Sequence, residues 1–152
     1  LEKSKFEFDG VVSEVTEQMG LIASYSGIRI VTEWNCERPV RVNSNRDRIE
    51  QVLIALVDNA IKFASDDGTI TLEFSMSGNG EKVIVAVKNT GHIGEADIAH
   101  LFERFYKADA SHSDGGTGLG LAIVHEILTH LGETIEAKNE GGNAVFRFTI
   151  GV

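Results

Sequence analysis

The sequence predicts an α/β (α+β) protein, a two-layer sandwich in which helices cover one face of a mixed sheet. Three observations carry that prediction. Ile70, Leu72, Phe74 and Met76 alternate with polar residues, as do Val83, Val85 and Val87, which is the period of half-buried strands. Segments 47–63 and 118–131 instead repeat apolar residues every three or four positions, the period of a helix with one buried stripe. The two kinds of segment interleave along 152 residues, enough chain for one domain with its own core.

Each element has its own local signal. Residues 9–25 read as a helix through Val12, Val15, Met19 and Ile22, with Asp9 as candidate N-cap and Gly27 as its stop. Residues 28–34 and 40–42 read as short strands around a turn that holds the single proline, Pro39. The helix over 47–63 shows the stripe Ile49, Val52, Leu53, Leu56, Val57 and Ala60, with Asn45 as N-cap. Gly78, Asn79 and Gly80 close a hairpin between the two alternating strands. Residues 90–117 carry little periodicity beyond a short helix near Asp97 to Phe102. That is long for a structureless connector, which predicts a functional lid. The helix over 118–131 shows the run Leu119, Ile123, Ile127, Leu128 and Leu131. Residues 134–137 and 145–150 then pair about a turn at Glu140, Gly141, Gly142 and Asn143.

Composition narrows the function classes. A net charge of −9 opposes non-specific binding to nucleic acid or to an anionic membrane, because both require clustered cations. The single cysteine, Cys36, excludes an internal disulfide framework and reads as a structural thiol. No stretch approaches the ~20 apolar residues of a membrane span. The first residue is Leu1 rather than methionine, so the chain reads as part of something longer, with residues 5–8 as the end of a linker.

The segment with the most chemistry is Gly115-Gly116-Thr117-Gly118-Leu119-Gly120-Leu121. Glycines at alternate positions that run into a helix N-terminus bring unpaired N–H groups and the positive end of the helix dipole to one place, an arrangement that suits phosphate. It is not a Walker loop, which ends in Gly-Lys-Ser/Thr, nor a Rossmann fingerprint, which follows a strand with G-x-G-x-x-G spacing. A second segment offers Asn59 and Lys62 as helix neighbours. An amide oxygen can ligate Mg²⁺, and a lysine can meet a phosphate oxygen. A third ends a strand in Asn89-Thr90-Gly91, which can hold an adenine amino group or can be an ordinary turn. The fourth, Leu101-Phe102-Glu103-Arg104-Phe105-Tyr106-Lys107, reads either as a short core helix or as part of a mobile lid.

In this order the four segments resemble the N, G1, F and G2 boxes of the catalytic ATP-binding domain of sensor histidine kinases, in the wider Bergerat (GHKL) ATPase group. The resemblance implies the Bergerat fold and Mg-ATP as ligand. It also implies transfer of the γ-phosphoryl group to a histidine on a separate dimerisation domain. By the same resemblance Asn59 binds Mg²⁺, Lys62 meets phosphate, and Asn89 and Gly91 contact adenine. The amides of Gly116, Thr117, Gly118, Leu119, Gly120 and Leu121 hold the β- and γ-phosphates, and Lys107 stabilises charge on the transferring group. Phe63, Ile93 and Tyr106 complete the ATP-binding set, and residues 90–117 are the ATP lid. The implied partners are the dimerisation domain and, through it, a response regulator, with no nucleic acid and no direct membrane contact. The isolated domain is expected to be monomeric and cytoplasmic, with a membrane-anchored parent.

The chain departs from the family pattern at several positions. Ala55 stands where another asparagine is usual, Asn89 where aspartate is usual, and Phe63 where tyrosine is common. His92-Ile93-Gly94 is one residue short of the usual Gly-x-Gly, and Asn143-Ala144 replace a Gly-Thr. The alternative these departures raise is a degenerate domain that keeps the fold as an allosteric or interaction module. Ala55 also opposes the ATP-hydrolysing relatives, which place a glutamate there to activate water. His125 and His130 are five apart, not the four of a zinc helix, and no histidine has a phosphoacceptor context.

Overall fold

The computed structural model describes residues 1–65, 67–107 and 120–152. In chain order the elements are β1 (Ser4–Glu7), α1 (Phe8–Ser24), β2 (Arg29–Asn35), β3 (Arg41–Ser44), α2 (Arg46–Phe63), β4 (Thr69–Met76) and β5 (Lys82–Thr90). They continue with α3 (Glu95–Ile98), α4 (Gly120–His130), β6 (Ile135–Glu140) and β7 (Asn143–Gly151). Five strands form one mixed sheet in the order β2-β4-β5-β7-β6, in which β2 runs parallel to β4 and the remaining pairs are antiparallel. Strands β1 and β3 pair separately.

Strand alternation explains the layering. Ile70, Leu72 and Phe74 of β4 and Val83, Val85 and Val87 of β5 are fully buried, on the face that meets the helices. The other face carries charge: Lys88 Nζ lies 2.9 Å from Glu73, and Arg147 pairs with Glu136 at 3.5 Å and Glu140 at 3.2 Å. One face is thus sealed by α1, α2 and α4 while the other is ion-paired, which is the predicted two-layer sandwich. The turn at Gly141-Gly142 closes the last hairpin with φ of +54° and +82°, values that suit a two-residue turn and that glycine adopts without strain.

Helix α2 matches its sequence reading, stripe and cap together: all six stripe residues are buried, and Asn45 Oδ1 accepts from Arg48 N at 3.1 Å. Helix α1 corrects two expectations. Its cap position is Glu7, which makes no capping bond, and Asp9 lies inside the first turn. The Asp9 carboxylate turns instead toward the segment before β3, accepting from Val40 N at 2.6 Å and Arg38 Nε at 2.8 Å. The buried stripe advances in fours through Val11, Val15, Met19 and Ala23, so Ile22 falls at its edge and is 45% exposed. Ile123 is likewise exposed, because α4 faces the core through Val124 and Leu128.

The two short strands are found at 29–35 and 41–44, but they do not pair with one another. Strand β2 joins β4 in the large sheet (Ile30 opposite Ile70), while β3 joins β1 (Val42 opposite Phe6). Of residues 5–8, expected as the end of a linker, 5–7 lie in strand β1 and Phe8 begins α1. Four residues are too few to show a period. The short helix lies earlier than expected, at Glu95–Ile98, and Phe102 follows it in turns.

Candidate functional site

The inward positions of β5 run Val83, Val85, Val87 and then Asn89, so a carboxamide occupies the fourth place of an otherwise apolar row. Asn89 is 1% exposed. Its Nδ2 donates to the Thr90 carbonyl at 3.2 Å, which turns Oδ1 the other way, and Oδ1 has no hydrogen-bond partner among the described residues. Helix α2 packs across β4 and β5 and brings Asn59 to the same place, where its Nδ2 is also buried and without a partner among the described residues. Each such group costs about 1–3 kcal/mol unless something outside the chain satisfies it.

Both residues line one cavity, together with Phe63, Ile93, Leu101, Ala144 and Phe146. The walls are apolar and the two carboxamides are the polar groups among these lining residues, a composition typical of small-molecule sites. Gly91 forms the turn out of β5 with φ of +141°. A Cβ there would stand 3.1 Å from the Phe63 carbonyl oxygen and 3.3 Å from Asn89 Nδ2, so the close approach of the two segments requires glycine. Asn89 Oδ1 can accept a hydrogen bond from an exocyclic amino group, and apolar walls suit the faces of a planar ring, although the cavity is smaller than a base and its walls would have to part to admit one. The observed groups therefore suit an adenine base. For Mg²⁺ the chain offers the Asn59 amide oxygen, one neutral ligand of the kind that leaves the remaining positions to water and phosphate.

The segment beyond Gly91 is tied down at several points. Asn139, on β6, accepts from Ile93 N and donates to Ile93 O, both at 2.9 Å. Gly94 lets Asp97 fold back over it, since a Cβ there would lie 2.8 Å from Asp97 Oδ2. Asp97 is buried and accepts from the Tyr106 hydroxyl. Phe102 stacks near His125 of α4 with ring centres 5.6 Å apart and meets Phe146 edge-on, and Arg104 lies 3.5 Å from Glu126. His130 is engaged locally, with Nδ1 2.8 Å from the Glu126 carbonyl.

Among the predicted site residues, then, Asn59, Phe63, Asn89 and Ile93 share the cavity, with Gly91 at its edge. Lys62 is in the last turn of α2 but pairs with Asp58 at 3.0 Å, and Lys107 is exposed. The Tyr106 hydroxyl donates to Asp97. Gly120 and Leu121 begin α4, with Gly120 exposed and Leu121 half-buried against the core. Gly116, Thr117, Gly118 and Leu119 lie outside the described residues. Ala55 opens onto a different place, a groove between α1 and α2 shared with Met19, Ile22, Glu50 and Ile54. The sequence reading missed Asn139, Asp97, Leu101, Ala144 and Phe146. The last could have been found, because it sits on the inward period of β7. Asn139 could not, because a polar residue on an alternating strand reads as solvent-facing.

Residues 44–152 match the family profile described as histidine kinase-, DNA gyrase B-, and HSP90-like ATPase, and the chain belongs to that family. Within it the chain is a catalytic ATPase domain of the sensor histidine kinase type. It is 34% identical over 118 residues to the sensor histidine kinase WalK of Bacillus subtilis (strain 168), covering 75% of this chain and 19% of WalK. The catalytic domain of histidine kinase ThkA superposes with a TM-score of 0.86 at 31% identity, covering 99% of this chain and 96% of that one. A longer ThkA chain, in complex with response regulator protein TrrA, gives 0.81 at 28% identity, covering 98% and 41%. Full-length ShkA in complex with AMPPNP gives 0.85 at 28% identity, covering 100% and 32%. The chain spans between 19 and 28% of the length of the first curated relatives it matches. Among the described residues no helix is long and apolar enough to cross a membrane.

Proposed function

We propose that this domain binds Mg-ATP and passes the γ-phosphoryl group to a histidine on a separate dimerisation domain. The observation that carries the reading is Asn89 Oδ1, a buried acceptor with no partner among the described residues, lining an apolar cavity beside Asn59. Asn89 would take the adenine amino group, and Gly91 would let the backbone approach the base. Phe63 and Ile93 would pack on the ring. Asn59 would give an amide oxygen to Mg²⁺, and Lys62 would exchange Asp58 for a phosphate oxygen.

The amides of residues 116–121 would hold the β- and γ-phosphates, with residues 90–117 as the lid that carries Tyr106 and the charge-stabilising Lys107. In the transfer, the imidazole nitrogen of the partner histidine forms a bond to the γ-phosphorus. The bond from that phosphorus to the β,γ-bridging oxygen breaks, ADP leaves, and the ring proton passes to solvent. Positioning and charge neutralisation supply the catalysis. The AMPPNP complex of ShkA and the response-regulator complex of ThkA support the nucleotide and the signalling partner by similarity. The isolated domain would be a monomer facing the cytoplasm, with its parent anchored in the membrane.

Calorimetry with AMPPNP and Mg²⁺ tests the reading. Binding at micromolar to millimolar ligand is expected, and absence of heat at millimolar ligand would favour the degenerate, interaction-only alternative. Asn59→Asp should abolish histidine phosphorylation of an added dimerisation domain at a temperature where the variant is still folded, even though the buried carboxylate lowers its melting temperature. Retained phosphorylation would remove Asn59 from the metal site.

A further inference from the structure

Strand β5 ends at Thr90, and Gly91 N makes a last main-chain bond toward the sheet, to Gly142 O at 3.3 Å. The chain then leaves the sheet, yet Ile93 is 3% exposed and forms part of the cavity wall. Its peptide groups are met by the side chain of Asn139, whose Oδ1 accepts from Ile93 N and whose Nδ2 donates to Ile93 O, both at 2.9 Å. This is the donor-and-acceptor pair that a neighbouring strand residue would offer, supplied here by one carboxamide. Asn139 is opposite Ala144 in the β6–β7 ladder, and Ala144 lines the same cavity. One residue further on, the Gly94 carbonyl accepts from Asp97 N at 2.9 Å and starts α3.

Resting on the ATP reading above, we infer that Asn139 is a positioning residue for the nucleobase. Its carboxamide fixes the Ile93 main chain and thereby sets the wall against which the base packs. It takes over the role of strand pairing in a segment one residue shorter than the family pattern. Without it the Ile93 amide and carbonyl lose their partners, and the wall relaxes. The effect falls on the base and leaves the phosphate end unaltered, so ADP and ATP analogues must suffer alike.

The test combines amide hydrogen exchange at Ile93 with calorimetric titration of ADP and of AMPPNP with Mg²⁺, for the wild type, Asn139→Ala and Asn139→Asp, well below each melting transition. Asn139→Ala should speed exchange at Ile93 and weaken both nucleotides by the same factor, about tenfold. Asn139→Asp keeps the acceptor for Ile93 N–H but sets a carboxylate against Ile93 O, so it should restore protection in part and bind with intermediate affinity. If Asn139→Ala does not fold, Asn139→Ser and Asn139→Asp carry the same comparison. A lower melting temperature with unchanged affinities would reduce Asn139 to a scaffold residue and overturn the inference, as would a loss confined to AMPPNP. A wild type that binds neither nucleotide overturns the ATP reading together with this inference, whereas a binding wild type with an indifferent variant overturns this inference alone.

Discussion

Asn59 Nδ2 and Asn89 Oδ1 are both buried without a partner among the described residues, and the two residues, one on a helix and one on a strand, line a single cavity. Two orphaned amides in one apolar enclosure are costly to the folded chain, and a ligand that satisfies them recovers that cost on binding.

Asn89→Asp separates ligand binding from stability. A carboxylate accepts more strongly than a neutral amide, so AMPPNP should bind about three- to tenfold tighter in calorimetry. Without nucleotide the same carboxylate loses the bond to Thr90 O and is buried without a donor. The free protein should then lose about 1–3 kcal/mol in urea unfolding. Equal or weaker nucleotide binding would remove Asn89 from the base contact.

Glu133 is a structural counterpart, a buried carboxylate whose contacts are met within the chain. It accepts from Lys82 Nζ and Thr149 Oγ1 at 2.7 Å and from Gly151 N at 2.8 Å, joining the loop after α4 to the start of β5 and the end of β7. Glu133→Gln keeps the volume but removes the charge, and should cost about 2–3 kcal/mol in urea unfolding with nucleotide affinity unchanged. A loss below about 0.5 kcal/mol would show that solvent replaces those bonds.

Acid should unfold the protein partly through two carboxylates. Burial alone would raise Asp9, but the bonds from Val40 N and Arg38 outweigh it and hold the group below its ordinary 3.8. The hydrogen bonds from Arg147 and Lys138 lower Glu140 from 4.5 to about 2. Each group binds fewer protons folded than unfolded. Its contribution is therefore complete above its ordinary value and drains as pH falls, for Glu140 down to about 2. Urea midpoints between about pH 5 and about pH 2 should fall less steeply in Asp9→Asn and Glu140→Gln. The Glu140 part should fade in high salt, because that carboxylate is partly exposed. Unchanged slopes in both variants would exclude these pairs as the acid-sensitive ones.

The legibility of the fold followed the length of its periodic signals. The eighteen residues of α2 carried stripe, cap and register unaided, and β4 and β5 showed their alternation plainly. The misreadings fell where several local solutions were equally good. Asp9 is as suitable an N-cap as it is a partner for Val40, and only the return of the chain at β3 decides between them. Residues 28–34 and 40–42 could have paired with each other; β2 instead lies beside β4, reached through α2.

The sequence by itself determined the class of this domain: its residue periods give the layers, and its four motifs resemble those of sensor histidine kinases. Tertiary structure alone decided that Asn59 and Asn89 share a cavity, that Ala55 faces another groove, and that Asn139 reaches across to Ile93. The reason is physical. Periodicity reports which face of an element is buried, a property of neighbours along the chain. The partner of a buried polar atom is set by where the next element packs, which no local pattern encodes.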